Sequence, residues 1–515
     1  MRIIFALLLC ASVLKPAVAQ DSASQSPNIL LMMADDLGFS DIGCYGSEIP
    51  TPHLDRLAAR GLRFSDFTNT SRCCPSRASL LTGMYSHQVG IGDMNYKGNT
   101  PAYAGQISAT TPLIPELLRE AGYSTAMVGK WHLTQSPTIP KGPNGSWPFQ
   151  RGFDKFFGSM EGAKNYFAPT WLFDQDREIR SFDEGFYYTN AISERAAKWI
   201  REQPANKPLF LYTAFYAPHF PLQAPEEVIV KYRGKYMSGW DKLREARLAK
   251  QKSLGMHQVE INPSPRPNDM PAWESLSEEQ KAALDLRMAT YAAQVEMLDQ
   301  GVGRLLEALE ESGRSDNTLI LFLSDNGAAS SGGVLGAGPI EEVGGPDAPV
   351  KTTYGKGWAT LSNTPYRMHK ANTHEGGIKA PLIVVPPSSS AIQNGLSEPD
   401  STKNWRRDPI HIMDIAPTIY AAAGLSDEAH RHCEGIDLLS QRRTETDAVF
   451  YEHEKSRAAR KGKWKLVNRG KSQEWELYDL SKDPTELNDL TRASRRRQEM
   501  ILLWKTWAQR CGVKY

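Results

Sequence analysis

The chain has 515 residues, of which 60 are Lys or Arg and 59 are Asp or Glu, so its formal net charge is +1. A balance this even gives no overall field that would attract nucleic acid or an anionic membrane, so any anionic substrate has to be recognised locally. The length allows several domains, or one large α/β domain with a sizeable core.

The N-terminus predicts export. Met1-Arg2 is a short basic start, residues 3–14 are apolar, and Ala17-Val18-Ala19 is a small-residue cleavage site. This is the pattern of a signal peptide over residues 1–19. The apolar stretch stops at Lys15 and is too short for a transmembrane anchor. We therefore expect a periplasmic or secreted protein that does not span the membrane.

Short apolar runs then alternate with helical patterns. The predicted strands cover residues 28–34, 62–67, 123–129, 208–215 and 318–324, and the predicted helices cover 52–60, 114–121, 191–203 and 291–309. Alternation of this kind predicts an α/β fold with a large, mainly parallel or mixed sheet sandwiched by helices.

Two segments depart from the alternation. A charged stretch with Pro and Trp over about 222–284 is interpreted as a surface insertion. After about residue 442, short hairpin-like pieces precede an amphipathic helix expected from about Pro484. We therefore predict a large domain over residues 27–442 and a smaller C-terminal antiparallel sheet domain with a helix over residues 443–515.

Carboxylates follow two of the predicted strands. Asp35-Asp36 comes after the first strand, and Asp325-Asn326 comes after the strand "TLILFLS". Alone, an Asp-Asp pair is typical of a helix N-cap or a turn. In a parallel sheet, however, the carboxyl ends of the strands meet at one edge. Clustered carboxylate and amide oxygens favour Ca²⁺ or Mg²⁺ over zinc.

Basic residues also lie beyond strand ends. A single His or Lys is usually a structural or solvated residue, but several beside a metal supply cations and proton donors for an oxygen-rich anion. The candidates beyond strand ends are Lys130 and His132 in "GKWHL" and His219 in "APHFP". The stretch "HKANTHEGGIKAP" adds Lys370, His374 and Glu375.

The stretch "SRCCPSRASLLTG" contains adjacent cysteines, Cys73 and Cys74. Neighbouring residues rarely meet the geometry of a disulfide. Without Cys10 in the predicted signal peptide, five cysteines remain, an odd number for an oxidising compartment. One cysteine is therefore expected to have a different role.

These residues resemble the type I, formylglycine-dependent sulfatases of the arylsulfatase family, in the alkaline phosphatase superfamily. The signature Cys-x-Pro-Ser-Arg-x-x-Leu-Leu-Thr-Gly is complete from Cys73 to Gly83, and "GYSTAMVGKWHL" matches a second signature. The likeness extends from about Pro27 to the C-terminal hairpin. It implies an alkaline phosphatase-like fold and sulfuric ester hydrolysis. It also implies that a formylglycine-generating or sulfatase-maturating enzyme oxidises Cys73 to Cα-formylglycine before folding.

The resemblance also assigns roles. A serine hydroxyl would leave a stable sulfated enzyme, whereas one hydroxyl of the hydrated aldehyde attacks sulfur and the other then allows sulfate to be expelled. The implied ligands of one Ca²⁺ are Asp35, Asp36, Asp325, Asn326 and the oxygen at position 73. The implied catalytic residues are Arg77 and Lys130, which hold the formylglycine, His132 as the base for elimination, and His219 with Lys370, which contact sulfate and assist the leaving oxygen.

Two alternatives remain at this point. A phosphoryl or phosphonate monoester hydrolase of the same superfamily would share the sheet and the metal edge, and a catalytically inactive sulfatase-like binding protein would be expected to have lost a ligand or the cysteine. The substrate is left open between an aryl sulfate, or another sulfated small molecule, and a sulfated saccharide. Disulfide pairing among Cys44, Cys74, Cys433 and Cys511 and the oligomeric state are also left open.

Overall fold

The computed structural model describes residues 26–390, 404–470, 474–490 and 494–515. The predicted signal peptide lies outside the described residues. The strands are β1 Asn28–Ala34, β2 Leu62–Phe64, β3 Phe67–Thr68, β4 Ser124–Gly129, β5 Lys155–Ser159, β6 Leu172–Asp174, β7 Arg177–Ile179, β8 Leu209–Ala214, β9 Thr318–Ser324, β10 Leu382–Val385, β11 Trp405–Arg406, β12 Ile410–His411, β13 Ala448–His453, β14 Ser456–Lys461, β15 Trp464–Asn468 and β16 Trp475–Asp479.

The α-helices are interspersed with the strands as the sequence predicts. They are α1 Pro52–Arg60, α2 Cys73–Thr82, α3 Ile114–Glu120, α4 Tyr188–Glu202, α5 Glu226–Ile229, α6 Gly239–Ser253, α7 Glu278–Glu311, α8 Gly355–Ser362, α9 Glu375–Ile378, α10 Ile415–Ala422, α11 Ser426–His432 and α12 Ser494–Arg510.

Among the described residues, ten strands form one large sheet in the order β11-β2-β10-β9-β1-β8-β4-β5-β6-β7. The central strands β9, β1, β8, β4 and β5 are parallel, and β10, β6 and β7 join in antiparallel pairs. This arrangement confirms the predicted mixed, mainly parallel sheet.

The side chains of β1 show why the sheet is covered on both faces. Leu30 and Met32 belong to one buried apolar cluster, whereas Ile29 and Leu31 belong to another. Successive side chains of a strand point to opposite faces, so a continuous apolar run needs helices on both sides. The core therefore forms two layers, one on each face of the sheet.

The C-terminal part contains a separate antiparallel sheet in the order β13-β14-β15-β16. Helix α12 packs its Trp504 and Trp507 against this sheet, as predicted for a small sheet with a helix. The helix begins at Ser494, however, and not near Pro484. Residues 483–487 instead form a turn, in which the Asp483 carboxylate accepts a hydrogen bond from the Leu487 amide. This side-chain bond stabilises a turn at the position where the helix was predicted to begin.

The predicted strand "LRFSDF" is divided in the structure. Residues 62–64 pair in the large sheet, whereas residues 67–68 pair with β12 in a separate two-stranded sheet. Asp66 lies between them, with its carboxylate bonded to Arg460 of β14. Because Asp66 is charged and pairs with β14 of the four-stranded C-terminal sheet, the buried strand β2 ends before it.

The segment interpreted as an insertion contributes to the core. Trp240 of α6 and Trp273 pack edge to face at 5.0 Å, and both contact Trp358 of α8. Separately, no helix within the described residues is long and apolar enough to cross a bilayer.

Candidate active site

The carboxyl ends of β1 and β9 place four polar side chains at one edge of the large sheet. Asp35 and Asp36 follow β1, and Asp325 and Asn326 follow its parallel neighbour β9. All four are buried. The Asp36 amide donates to Oδ1 of Asp325 at 3.2 Å, and the Asn326 side chain donates to Oδ1 of Asp36 at 2.6 Å. The structure thus brings together the four residues that were predicted to bind a metal.

Three buried oxygens of this group have no hydrogen-bond partner among the described residues. They are Oδ1 of Asp35, Oδ2 of Asp36 and Oδ1 of Asn326. An unpaired buried acceptor costs free energy, and an unpaired buried charge costs more. Because carboxylate and amide oxygens are the ligands that Ca²⁺ takes, the donor set fits a hard divalent cation.

The pKa values of Asp35 and Asp325 are shifted in opposite directions. Burial raises the pKa of Asp35, but the charges of Lys130, His219 and Arg77 outweigh it and hold that pKa below its usual range. Burial and the neighbouring Asp35 charge raise the pKa of Asp325 well above its usual value. The two carboxyls would both ionise more readily beside a further cation.

Cys73 is the first residue of α2 and is 2% exposed. Cys73, Cys74 and His132 bring their sulfur and ring nitrogen atoms within 4.8 Å of one another. A hydrogen bond with Cys74 is the main cause that lowers the pKa of Cys73 well below its usual value, and the charges of Lys130 and Lys370 act in the same direction against burial. Position 73 is therefore buried among cationic side chains at a helix N-terminus, which favours an anionic or polarised group.

The described cysteines form no disulfide. Cys44, Cys73, Cys74, Cys433 and Cys511 are all free thiols in the structure.

Arg77 lies one helical turn after Cys73, on the same face of α2. Its guanidinium donates to the Lys130 carbonyl at 2.9 Å and to Oδ2 of Asp325 at 2.8 Å. Lys130 follows β4 and donates through Nζ to Oδ2 of Asp35 at 2.5 Å. Arg77 thus pairs with Asp325 and Lys130 pairs with Asp35, and all four side chains are buried. These ion pairs fix the positions of the two carboxylates.

Two of the three candidate histidines, His132 and His219, lie at the centre. His132 follows Lys130 by two residues and has a positive φ of 65°. His219 follows β8 and brings Nε2 to 3.5 Å from Oδ2 of Asp36. Its Nδ1 is 2.6 Å from the Phe220 carbonyl, which can only accept, so Nδ1 carries a proton. Burial lowers the pKa of both rings.

Lys370 joins the centre, whereas two residues that the sequence grouped with it do not. Its Nζ hydrogen-bonds Oδ1 of Asp36. His374 instead bonds Oε2 of Glu476 at 3.0 Å, and Glu375 pairs with Lys465 of β15. The grouping of His374 and Glu375 with the anion site was wrong, because the chain turns into α9 after Lys370 and directs both toward the small sheet.

One aromatic side chain of the centre, Tyr216, was not predicted from the sequence. Tyr216 lies 5.8 Å from Nζ of Lys130, measured to its ring centroid, and its ring stacks on His219 at 5.0 Å. The available signal was its position, three residues before His219 in the segment that follows β8.

Comparison with known proteins gives consistent matches. The sulfatase family model matches residues 27–425, and the model for the C-terminal part of N-sulphoglucosamine sulphohydrolase matches residues 368–509. An uncharacterised sulfatase of Schizosaccharomyces pombe is 34% identical over 96% of this chain and 96% of its own length. The arylsulfatase of Klebsiella aerogenes is 32% identical over 82% of this chain and 91% of its own.

Solved structures share the fold. The structure of Ps i-CgsB in complex with k-i-k-neocarrahexaose matches with a TM-score of 0.66 and 25% identity, over 94% of this chain and 93% of that chain.

Proposed function

Because the chain belongs to the sulfatase family of the alkaline phosphatase superfamily and is a sulfuric ester hydrolase, we propose that it cleaves sulfate monoesters with a formylglycine made from Cys73 and with one Ca²⁺. The observation that carries this proposal is the position of Cys73. It is buried at the N-terminus of α2 beside His132, near Lys130 and Lys370.

The metal would be held by Asp35, Asp36, Asp325, Asn326 and the oxygen at position 73. The unpartnered oxygens at the strand ends support this assignment. When bound, Ca²⁺ polarises the sulfate and favours ionisation of the attacking hydroxyl.

The formylglycine hydrate supplies two hydroxyls on one carbon, one to attack sulfur and one whose loss of a proton lets sulfate depart. Arg77 and Lys130 keep position 73 and the strand-end carboxylates in fixed places, and Lys130 also reaches the sulfate. His132, beside position 73, takes the proton of the second hydroxyl. His219 and Lys370, both at the Asp36 carboxylate, contact sulfate and assist the leaving oxygen.

The proposal includes the route by which the protein matures. The N-terminal segment directs export to the periplasm or outside the cell, and a formylglycine-generating or sulfatase-maturating enzyme oxidises Cys73 before the chain folds. The catalytic part covers residues 27–442 and the small C-terminal part covers residues 443–515. A sulfated small molecule or saccharide is the substrate, and the relative Ps i-CgsB, solved with k-i-k-neocarrahexaose, favours the saccharide.

The test is a peptide mass spectrum around residue 73 combined with turnover of aryl sulfates and sulfated saccharides. We expect formylglycine at position 73, and we expect Cys73→Ala to fold but to lose essentially all turnover. Cys433→Ser, a change at a half-buried cysteine outside the signature, is the matched control and should keep its activity. Full multiple turnover in the Cys73→Ala protein would contradict the proposal. Hydrolysis of phosphate or phosphonate esters alone would favour the superfamily alternative.

A further inference from the structure

A second cluster of titratable side chains lies outside the catalytic set. It consists of Asp93, His453 and Glu454, whose ligand atoms lie within 4.8 Å of one another. His453 ends β13, Glu454 lies in the turn to β14, and Asp93 comes from a loop of the large domain. Nδ1 of His453 is 4.0 Å from Oδ1 of Asp93, and Nε2 is 3.6 Å from Oε1 of Glu454. We call these three residues the rim cluster.

The histidine of the rim cluster is buried without a hydrogen-bond partner. Its side chain is 0% exposed, and neither ring nitrogen has a hydrogen-bond partner within the part of the chain that the structure describes. The carboxylates on its two sides are 49% and 52% exposed. The cluster is therefore buried at His453 and open to solvent at its two carboxylates, and the His453 ring nitrogens still lack hydrogen-bond partners.

The rim cluster lies beside the catalytic centre. Met94, next to Asp93, accepts through Sδ from Nε of Arg72, the residue before Cys73, at 3.4 Å. Asn95 donates to the carbonyl of Thr134, two residues beyond His132, at 3.0 Å.

The β13–β14 hairpin of the C-terminal sheet, which carries His453 and Glu454, also lies near the catalytic centre. Ser456 Oγ accepts from the amide of Thr373, three residues beyond Lys370, at 3.3 Å. Contact with His453 is the main cause that lowers the pKa of Glu454 to about 2, and Arg72 acts in the same direction while burial opposes both. Glu454 is thus an ionised acceptor near the residue that precedes the nucleophile position.

We propose that the rim cluster binds hydroxyl groups on the alcohol part of the substrate, so that the substrate class is a sulfated saccharide and not a simple aryl sulfate. The proposal rests on the proposed function, because it names the alcohol whose sulfate occupies the catalytic centre. Ionised carboxylates only accept hydrogen bonds, and vicinal sugar hydroxyls supply the donors that they require.

The charge of the rim cluster argues against a second sulfate group as its ligand. A second sulfate group would meet two negative charges, and like charges in a partly buried site repel. Neutral hydroxyl groups can donate to these carboxylates without that repulsion.

The experiment compares two substrate classes in the mature, full-length protein. Glu454→Gln and Asp93→Asn keep the shape of partly exposed side chains and remove their charge. We expect kcat/KM for monosulfated hexoses to fall roughly 10- to 100-fold, as for a lost hydrogen bond to a charged group. We expect kcat/KM for 4-nitrophenyl sulfate to stay within about twofold, since it has no hydroxyl to bind there. Asp176→Asn, at an exposed position between β6 and β7, is the matched control.

The outcomes separate this inference from the proposed function. Equal losses on both substrate classes, or turnover of aryl sulfate with none of the hexoses, would overturn the inference. So would a second metal ion per chain that disappears in Glu454→Gln. If the wild type cleaves no sulfate ester at all, the proposed function fails. Binding of galactose 6-sulfate to the Cys73→Ala protein still tests the rim cluster in that case, because it should weaken by the same factor with Glu454→Gln.

Discussion

His219 and His132 occupy positions suited to different steps. The Phe220 carbonyl fixes the proton of His219 on Nδ1, so Nε2 faces Asp36 and the centre. Burial holds the pKa of His219 below its usual value, and the charges of Asp36 and Asp35 oppose this lowering only in part. His132 lies instead beside position 73. One ring is therefore placed toward the metal edge, and the other toward the nucleophile.

At His219 we predict that replacement by Ala depends on the leaving group. A nitrophenolate departs with little protonation, whereas a sugar hydroxyl needs a great deal. His219→Ala should therefore slow esters of poorly acidic alcohols by roughly 10²- to 10⁴-fold, and nitrophenyl esters much less. Rates across alcohols of graded acidity provide the measurement. A defect of the same size for every alcohol would contradict the assignment.

At His132 we predict a defect that does not depend on the alcohol. His132→Ala should slow the release of sulfate whatever the leaving group was, because the base for the second step is missing. Rapid-mixing measurements should show a burst of alcohol followed by slower release of sulfate. If alcohol and sulfate appear in step in this variant, His132 does not serve the second step.

At the scale of elements, α7 holds the start of α1. Asp299 of α7 accepts from the amides of His53 and Leu54 at 3.1 and 2.8 Å, in the first turn of α1. The N-cap residue Thr51 makes no side-chain cap for this helix. A carboxylate supplied from a distant helix thus replaces the local cap and fixes how the two helices pack.

We predict that Asp299→Ala lowers the free energy of unfolding by about 1–2 kcal/mol, the range for a lost N-cap. Asp299→Asn should lose less, because its amide oxygen can still accept one of the two amides. Denaturant unfolding of both variants provides the measurement, with Asp176→Ala at an exposed position as the control. Wild-type stability in Asp299→Ala would show that water replaces this cap without cost.

The sequence predicts elements well where one physical pattern dominates. β1 and β9 are buried on both faces, and their seven-residue apolar runs, too short for a typical buried helix, predict buried strands. The strand through Asp66 was predicted too long, because its partner Arg460 is almost 400 positions away in the chain. The carboxylates were found because parallel strand ends must meet.

Side-chain direction after a turn could not be predicted in the same way. Lys370 and His374 are four positions apart, yet one reaches Asp36 and the other Glu476. The rim cluster joins Asp93 to a hairpin tip at residues 453–454, and no local spacing indicates that contact. Nothing in a periodic pattern encodes which distant side chain will complete such a group.

At the scale of the whole molecule, the metal would join the two central strands of the large sheet. Bound ligand stabilises the folded state by roughly 2.7 kcal/mol when present at 100 times its Kd. We therefore predict that a chelator lowers both Tm and activity, and that added Ca²⁺ restores them.

Asp325→Asn should reduce the Tm difference between the chelated and Ca²⁺-loaded protein. Asp316→Asn, at the exposed opposite end of β9, should leave it unchanged. An undiminished difference in Asp325→Asn would place the metal elsewhere.

The small sheet is joined to the large domain by buried charges. Lys465 of β15 lies 2.5 Å from Oε1 of Glu375 and 2.8 Å from Oε1 of Glu486, and none of the three side chains is more than 1% exposed. Burial raises the pKa of Glu375, but Lys465, Lys379 and Arg460 outweigh it and hold the pKa below its usual value. The folded protein therefore favours the ionised form of this carboxylate.

We predict that Lys465→Met lowers the free energy of unfolding by roughly 3–5 kcal/mol at pH 7.5, because it removes the cation that the buried carboxylates of Glu375 and Glu486 share. Lys463→Met is the matched control, since Lys463 pairs with Asp479 while 42% exposed and such a pair contributes about 1 kcal/mol or less.

The pH dependence follows from the direction of the Glu375 shift. A carboxyl whose pKa is lowered by folding contributes stability that is present above its unfolded value and is lost as pH falls through the folded value. In Lys465→Met this contribution is reduced to what Lys379, 3.2 Å from Oε2 of Glu375, still supplies, so the two carboxyls take up protons more readily as the pH falls. The difference in Tm between wild type and Lys465→Met should therefore be larger at pH 7.5 than near pH 4.5.

Adding Glu375→Gln to Lys465→Met should recover part of the loss at pH 7.5, because removing both partners leaves less buried charge unpaired. A deficit that is the same at both pH values, and that Glu375→Gln does not relieve, would mean that the aliphatic stem of Lys465 and not its charge holds the two sheets together.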